Sequence, residues 1–297
     1  MKTLRPALLT SRLVLILCFG LPLSTQLTAQ QSASLDSRLG DILARISARE
    51  LRSREAALND LTTLIREGQK QTAEPDHAAA LTEFFKQHPE HVDSIKLGLI
   101  ELLKADNADF QGEKTSPGTY KEIDMEHYAD VVHVVSSLND ERAIPVLVDA
   151  MATGGMAQQA IFQYGDKALA PVLAQLKRQP DPNSVSDLLA QASALQMSFA
   201  LLAKRSDPNS QAEIRELILA YVKAPSGATR RIAVQEIDCL DDRQNFVPLL
   251  TEISKTDPQK LSGKPLDGGD NNQFYPVRAD ARRVLRHIKS GELCTQE

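Results

Sequence analysis

The histidines are the first residues to examine for chemistry, because imidazole serves both as a metal ligand and as a general base. His88 and His91 have a spacing compatible with metal binding, but Pro89 breaks the helix that would align them. His127 and His133 are six residues apart and do not share a helical face. The chain also lacks the His-Glu-x-x-His motif of zinc hydrolases. The sequence therefore predicts no metal site at its histidines.

The motifs of nucleophilic and nucleotide-dependent enzymes are missing as well. There is no Gly-x-Ser-x-Gly and no Ser-x-x-Lys with its partner motifs. Neither a Walker-type phosphate loop nor a Gly-x-Gly-x-x-Gly occurs. The paired carboxylates Asp241 and Asp242 lie at a helix boundary, where capping accounts for them. We therefore expect no catalytic residue and no cofactor.

Two predicted loops, 105–119 and 259–275, are too long for ordinary helix connections, so they are candidate functional segments. The second is rich in the Asp and Asn oxygens that hard cations prefer. The second loop lacks the Asp-x-Asp-x-Asp-Gly pattern and the distal Glu of a helix-loop-helix calcium site. It remains open as a plain surface loop, a calcium site or a partner contact. The residues concerned are Asp106, Asn107, Asp109 and Glu113 in the first loop, and Asp267, Asp270, Asn271 and Asn272 in the second.

The N-terminal residues resemble a targeting segment. A basic stretch with Lys2, Arg5 and Arg12 precedes an apolar run at 13–23 and then small and polar residues. The run is about half of the roughly 20 residues that a membrane-spanning helix needs. The pattern predicts a secretory signal peptide at residues 1–29, with an uncleaved anchor as the alternative. No later window reads as a membrane span, so we expect an exported protein, periplasmic or extracellular, with no membrane insertion after signal cleavage.

The net charge limits the classes of partner, and the cysteine content allows a disulfide. Removing residues 1–29 takes away three basic and no acidic residues, so the formal net charge changes from −5 to −8. An acidic chain is a poor candidate for binding nucleic acid, since phosphate contacts need clustered Lys and Arg. Export permits a disulfide between the two remaining cysteines, Cys239 and Cys294. Whether they pair is not decided by the sequence.

The hydrophobic pattern has the helical period almost throughout, which predicts an all-α protein. Thirteen helices separated by short turns are predicted. The helix at 184–204 is apolar on nearly all sides, as expected of a helix buried on both flanks. The predicted helices are 35–49, 52–67, 76–87, 90–104, 120–137, 141–152, 156–164, 167–177, 184–204, 209–223, 227–239, 243–255 and 276–289.

Two helix types recur along the chain. In the first, Arg is followed by Ala three residues later and by apolar residues seven and ten residues later, beginning at Arg54, Arg230 and Arg278. This spacing places the Ala and both apolar residues on one stripe. In the second type, an Asp cap precedes a proline that we expect in or near the first turn, where its missing N–H costs little. These prolines are Pro145, Pro171 and Pro248.

The alternation of these helices resembles HEAT repeats, in particular the short bacterial kind known from phycobilin lyases. The resemblance covers about 140–290 and is weaker at 50–67. It implies an α-solenoid of antiparallel helix pairs, a HEAT/armadillo-like superhelix, in which the repeated arginines and prolines are structural. It also implies that an Asp in the turn before an Arg helix pairs with Arg along the stack. Asp257 precedes Arg278 across the insertion, whereas Pro225-Ser226-Gly227 precedes Arg230.

The predicted organisation combines these observations. A signal peptide (1–29) is followed by an N-terminal helical region with poorly matching repeats (30–138), by HEAT-like repeats (139–291) with a loop insertion at 259–275, and by a C-terminal tail (292–297). Stacked helix pairs offer an extended surface without a preorganised catalytic pocket. We therefore expect a non-enzymatic scaffold or adaptor that binds a protein partner. The alternatives are a module stabilised by a divalent metal and an enzyme with an unrecognised site in 70–138.

Overall fold

The structure is a computed structural model that describes residues 23–67, 77–112, 125–153, 155–205, 207–262, 273–292 and 294. Most of the predicted signal peptide (residues 1–22) and the acidic tip of the second loop (263–272) lie outside the described residues. The chain forms two compact units, Met1–Glu67 and Gly68–Glu297.

The first unit contains the helices α1 (Leu23–Ile46) and α2 (Leu51–Arg66), which pack against each other. Ion pairs join Arg38 to Glu67 and Arg45 to Asp60, so the two helices run antiparallel. Their apolar stripes meet because each carries large aliphatic residues at helical spacing. The buried residues include Leu39, Ile42, Ile46, Leu58, Leu61 and Leu64.

The second unit contains eleven α-helices in its described residues and one short pair of strands. β1 (Leu261–Ser262) and β2 (Gln273–Phe274) are antiparallel, with Leu261 opposite Phe274. The helices are α3 (His77–Gln87), α4 (Val92–Gly112), α5 (Met125–Ser137), α6 (Ile144–Ala150), α7 (Met156–Tyr164), α8 (Asp166–Lys177), α9 (Val185–Arg205), α10 (Pro208–Tyr221), α11 (Gly227–Ile237), α12 (Val247–Thr256) and α13 (Pro276–Ser290).

Helices of the second unit pack mainly against their neighbours in sequence and against the next helix but one. One row is formed by α3, α5, α7, α9, α11 and α13, each packed against the next member of the row. A second row begins with α4, α6 and α8. The short turns between helices account for this order, since a tight turn returns the chain beside the helix it has just left.

α9 is the central helix of this packing and contacts α7, α8, α10 and α11. Leu195, Phe199 and Leu202 are almost completely buried, in agreement with the apolar pattern around this helix. Within the described part of the chain, α9 alone has the length and composition of a membrane span, and 56% of its most apolar window is buried inside the fold. This differs from our expectation that no such window exists. A core helix with neighbours on several sides meets the same composition test as a membrane span.

The all-α prediction is confirmed, with thirteen α-helices in the described residues. The predicted loop at 105–119 is wrong in its first half, because α4 continues to Gly112; residues 113–124 lie outside the described residues. Asp106 and Asn107 are buried on this helix, where their polarity had suggested a loop. The second loop also differs from the prediction, since β1 and β2 pair at its base.

The Asp-to-Pro helices agree with the prediction only in part. Pro145 and Pro248 lie in the first turn of α6 and α12, but Pro171 is the sixth residue of α8. A 3-10 turn separates the Asp from α6 and α12, whereas α8 begins at Asp166 itself. At its position Pro171 cannot donate a main-chain hydrogen bond to the carbonyl of Lys167.

The predicted Asp caps are likewise only partly correct. Asp140 caps its turn, accepting a hydrogen bond from the Arg142 N–H at 3.0 Å. Asp166 and Asp242 make no such cap and pair instead with arginines of neighbouring helices, Arg205 and Arg215. A carboxylate at a helix start is near the positive end of the helix dipole and also near the adjacent helix, so an arginine there competes with the cap.

Candidate functional site

Arg54 and Arg230 make the same main-chain contact in the two units. The Nη1 of Arg54 donates to the carbonyls of Ala48 and Arg49, at 3.1 and 3.0 Å. The Nη1 of Arg230 donates to the carbonyls of Ala224 and Pro225, at 2.8 and 2.9 Å. In each case the acceptors lie six and five residues before the arginine, in the turn that opens its helix. The repeated Arg therefore holds the preceding turn against its own helix.

Asp257 connects Arg230 to Arg278. Its carboxylate accepts two hydrogen bonds from Arg230, at 2.6 and 3.0 Å, and both side chains are nearly buried. Its main-chain carbonyl accepts from Nε of Arg278 at 2.7 Å, and the Arg278 guanidinium stacks over the ring of Tyr275. The Asp before one Arg helix thus pairs with the Arg of the preceding copy. The Pro225-Ser226-Gly227 turn has no Asp, yet Arg230 still has a carboxylate partner.

Cys239 and Cys294 are joined by a disulfide, with their Cα atoms 4.9 Å apart. Polar contacts near the disulfide join the end of α11 to α13 and to the residues that follow α13. The Nδ1 of His287 lies 2.6 Å from Asp238, and Arg243 donates to both Asp238 and the carbonyl of Glu292. These contacts and the disulfide form what we call the C-terminal clasp. His287 therefore takes part in structural pairing at the clasp.

The remaining histidines do not form a metal centre in the described residues, which contain no group of three metal-ligating side chains. His88 and His91 both lie near Glu90, at 3.4 and 3.6 Å. His127 lies 3.2 Å from Asp106, and both side chains are nearly buried between α4 and α5. The structure thus brings together a histidine of α5 and a carboxylate of α4 that sequence patterns do not connect. The pair therefore links α4 to α5.

A cavity of about 180 Å³ lies where α4, α6 and α8 end and where α9 begins. We call it the α4–α9 cavity. Polar groups contributed by all four helices line it, together with the apolar surfaces of Phe110, Ala152, Pro180 and Ala190. The polar lining residues are Asn107, Asp149, Gln175, Arg178, Gln179, Ser186, Asp187 and Gln191.

A buried hydrogen-bond network holds Asn107, one of the lining residues, in place. The Nδ2 of Asn107 donates to the carbonyl of Val146 at 2.9 Å, and its Oδ1 accepts from the Tyr128 hydroxyl at 2.6 Å. Tyr128 also stacks on Phe110, with ring centroids 5.3 Å apart. Burial raises the pKa of the Tyr128 hydroxyl, which therefore stays protonated and holds Asn107 in one orientation.

Two polar groups in the wall retain capacity for a ligand. The Oε1 of Gln175 is buried and accepts no hydrogen bond from any residue that the structure describes. Asp149 is paired with Arg178 at 3.3 Å, but burial has the larger effect and raises the pKa of the Asp149 carboxyl. A buried acceptor without a donor costs free energy, as does a partly desolvated carboxylate. Both costs fall when a donor enters the cavity.

Of the polar residues that line this cavity, the sequence singles out Asn107 alone. Asp149, Gln175 and Gln191 lie on three different helices, α6, α8 and α9, so no motif connects them. The available signal was a polar residue inside an apolar stripe, as at Asp149 after Val146-Leu147-Val148 and at Gln191 within α9. Gln191 is only 8% exposed, which a polar residue on a solvated face would not be.

Comparison of the chain with protein-family models, with curated proteins and with solved structures gives no match.

Proposed function

We propose that this protein is an exported α-solenoid of the HEAT-like kind that acts as a non-enzymatic scaffold or adaptor, binding a protein partner in the cell envelope or outside the cell. The observation that carries the proposal is the order of helix packing in the second unit. Each helix of the first row packs against the next member, as expected when successive helix pairs stack. Solenoid proteins bind their partners on extended concave surfaces.

The arginine contacts support the repeat assignment. Arg54 and Arg230 donate hydrogen bonds to carbonyls of the preceding turn, at the same number of residues before each arginine. Asp257 links two successive Arg helices. Such contacts have a structural purpose, because they satisfy carbonyls that the turn would otherwise leave unpaired. The disulfide supports export, since disulfides persist in oxidising compartments.

One edge of the second unit is the best candidate for the partner contact. Met125, Met156, Val185 and Leu189 lie at the starts of α5, α7 and α9, and each is at least 40% exposed. We call this set the apolar edge. Residues that follow the opposite ends of α5 and α7 form ion pairs, Glu141 with Lys167 and Asp166 with Arg205 at the end of α9. Exposed apolar side chains gathered at one edge are typical of protein-binding surfaces.

A photo-cross-linking experiment tests this proposal in the native compartment. A photoreactive residue replaces Met156 or Leu189 on the apolar edge, or Lys167 on the opposite edge as the matched control. We expect the same protein to be captured from both apolar positions and not from Lys167. Equal capture from all three positions, or none from Met156 and Leu189, contradicts the proposal.

The captured partner then allows a quantitative test. With the purified partner, Met156→Asp and Leu189→Asp should each weaken binding by about tenfold or more, because a charge placed in an apolar contact is left unpaired. Lys167→Asp should change the dissociation constant by less than about threefold, since it lies outside the contact. Isothermal titration calorimetry measures all three. Unchanged affinity in both edge variants would exclude this edge as the binding surface.

A further inference from the structure

We propose that the α4–α9 cavity is a binding site for a small organic cation, a primary amine or an amidine carried on a compact apolar body. The inference concerns a ligand within the fold and does not depend on the protein partner proposed above. Size, hydrogen-bonding capacity and charge support it.

The size of the cavity suits a molecule of one ring. Its volume is about 180 Å³, and cavities of about 150 Å³ are known to hold benzene-sized molecules. The apolar part of the wall consists of the Phe110 ring with Ala152, Pro180 and Ala190. The ring of Phe110 is held in place by stacking on Tyr128. A planar or short aliphatic body therefore has a preformed apolar surface to lie against.

Among the described lining residues, the buried side-chain atom that lacks a hydrogen-bond partner is an acceptor. Gln175 Oε1 is buried without a donor among the described residues, and Asp149 brings a partly desolvated carboxylate. The amide of Asn107 is already used on both sides, by Val146 and by Tyr128. A ligand that fits these groups must therefore supply N–H or O–H donors.

The charge of the described lining selects among such donors. Asp149 and Asp187 contribute two negative charges, and Arg178 contributes one positive charge. The Arg178 side chain is 65% exposed, so solvent screens it more than it screens Asp149, which is 32% exposed. The cavity therefore favours a cation over a neutral donor and disfavours an anion. An ammonium or amidinium group next to Asp149 and Gln175 supplies both the hydrogen-bond donors and the positive charge.

Three probes of similar shape and different charge test the proposal on the full protein. They are benzylamine (a cation at neutral pH), benzyl alcohol (neutral) and benzoate (an anion), with binding followed by saturation-transfer NMR and by calorimetry. We expect benzylamine to bind at least about tenfold more tightly than either of the other probes. Failure of benzylamine to bind, or equal binding of benzoate, overturns the proposal.

Variants with opposite expected effects separate a ligand contact from general damage to the fold. Asp149→Asn keeps the side-chain shape and should weaken benzylamine binding by about tenfold, while Arg178→Gln should tighten it several-fold by releasing Asp149. Asp241→Asn removes the same charge on an exposed turn and should leave the dissociation constant unchanged. If Asp149→Asn and Arg178→Gln shift the affinity in the same direction, the assigned charges are wrong.

A cavity-filling variant locates the bound probe. Ala190→Leu adds bulk to the wall without changing its charge and should abolish benzylamine binding. The circular-dichroism spectrum and the melting temperature should remain close to those of the wild-type protein. Retained binding in this well-folded variant would place the probe elsewhere and overturn the proposal. If Ala190→Leu fails to fold, Ala152→Leu adds bulk at another lining position and decides the same question.

Discussion

Arg230 and Asp257 form a nearly buried ion pair within the described residues, and its geometry explains why the arginine recurs. The guanidinium satisfies one carboxylate and two turn carbonyls at once. Arg suits this position because its planar fork carries five donors in fixed directions, whereas Lys offers a single ammonium group. Arg230 therefore serves packing and turn geometry.

We expect Arg230→Met to lower the free energy of unfolding by about 3–5 kcal/mol, because it leaves the buried carboxylate of Asp257 without its charged partner. The matched control is Lys167→Met, which breaks an ion pair between two side chains that are each 61% exposed. That variant should cost less than about 1 kcal/mol. Urea unfolding followed by circular dichroism measures both.

A double variant shows whether the lost charge pairing is the cause. Arg230→Met combined with Asp257→Asn removes the unpaired charge, so it should be more stable than Arg230→Met alone. If the double variant is less stable than the single one, the cost comes from the lost turn contacts and not from the carboxylate.

Glu236 provides the clearest pH dependence at the residue scale. Burial raises the pKa of its carboxyl from 4.5 to about 7. Between pH 4.5 and 7 the unfolded chain therefore releases a proton that the folded chain retains, so stability falls as the pH rises through this window. Glu236→Gln removes this loss and should be more stable than the wild-type protein at pH 8, by an amount of the order of 2 kcal/mol.

The comparison requires unfolding curves at pH 4 and pH 8. The stability difference between Glu236→Gln and the wild-type protein should be near zero at pH 4. Glu216→Gln, on the exposed side of α10, is the control and should show no such pH dependence. A Glu236→Gln variant that is less stable at pH 8 would mean that the carboxylate is stabilised by its surroundings.

At the scale of elements, a disulfide and polar contacts hold α13 in place in addition to its apolar stripe. The disulfide closes a loop with a sequence separation of 55 residues between α11 and the chain beyond α13. Asp238, Arg243 and His287 add polar contacts at the same end. The loop includes the insertion between α12 and α13, so the clasp limits how far the unfolded chain can separate there.

Replacing both cysteines by serine should lower the free energy of unfolding by about 2–4 kcal/mol. In the chain-entropy model a cross-link across a loop of this length is worth about 4 kcal/mol, and measured values are commonly smaller. A reducing agent should lower the stability of the wild-type protein by a similar amount and leave the double variant unchanged. If reduction destabilises both proteins equally, the effect does not arise from this disulfide.

Element boundaries were predictable where the apolar period was clear and wrong where polar residues are buried. α7 begins and ends where the sequence pattern predicts, because Gly155 and Gly165, both with positive φ, terminate the pattern on either side. α4 extends beyond its predicted end because Asn107 and Asp106 find buried partners on α5 and α6. Those partners are distant in sequence, so no local pattern contains them.

At the scale of the whole molecule, each unit has its own core. In the second unit, packing between sequence neighbours means that local stability depends mainly on adjacent helices. α9 has the most extensive surroundings, with α7, α8, α10 and α11 packed around it. α3 packs mainly against α5 and the short turn that follows it.

Hydrogen exchange followed by mass spectrometry should reveal this gradient. We expect the amides of α9 to exchange most slowly in the second unit and those of α3 to exchange at least about tenfold faster, since opening α3 disrupts few neighbours. Equal protection of α3 and α9 would indicate one global unfolding event and would contradict nearest-neighbour stabilisation.

The sequence by itself determined the helical class, the position of most helices and the recurrence of the Arg and Asp-to-Pro helices. These depend on the spacing of apolar residues and on turn-forming residues, which act over a few positions of the chain. The tertiary structure alone decided that Asp257 pairs with Arg230, that Cys239 meets Cys294, and that Asn107, Asp149, Gln175 and Gln191 surround one cavity. Those groups come from helices far apart in sequence, and only the packing of the helices brings them within contact distance.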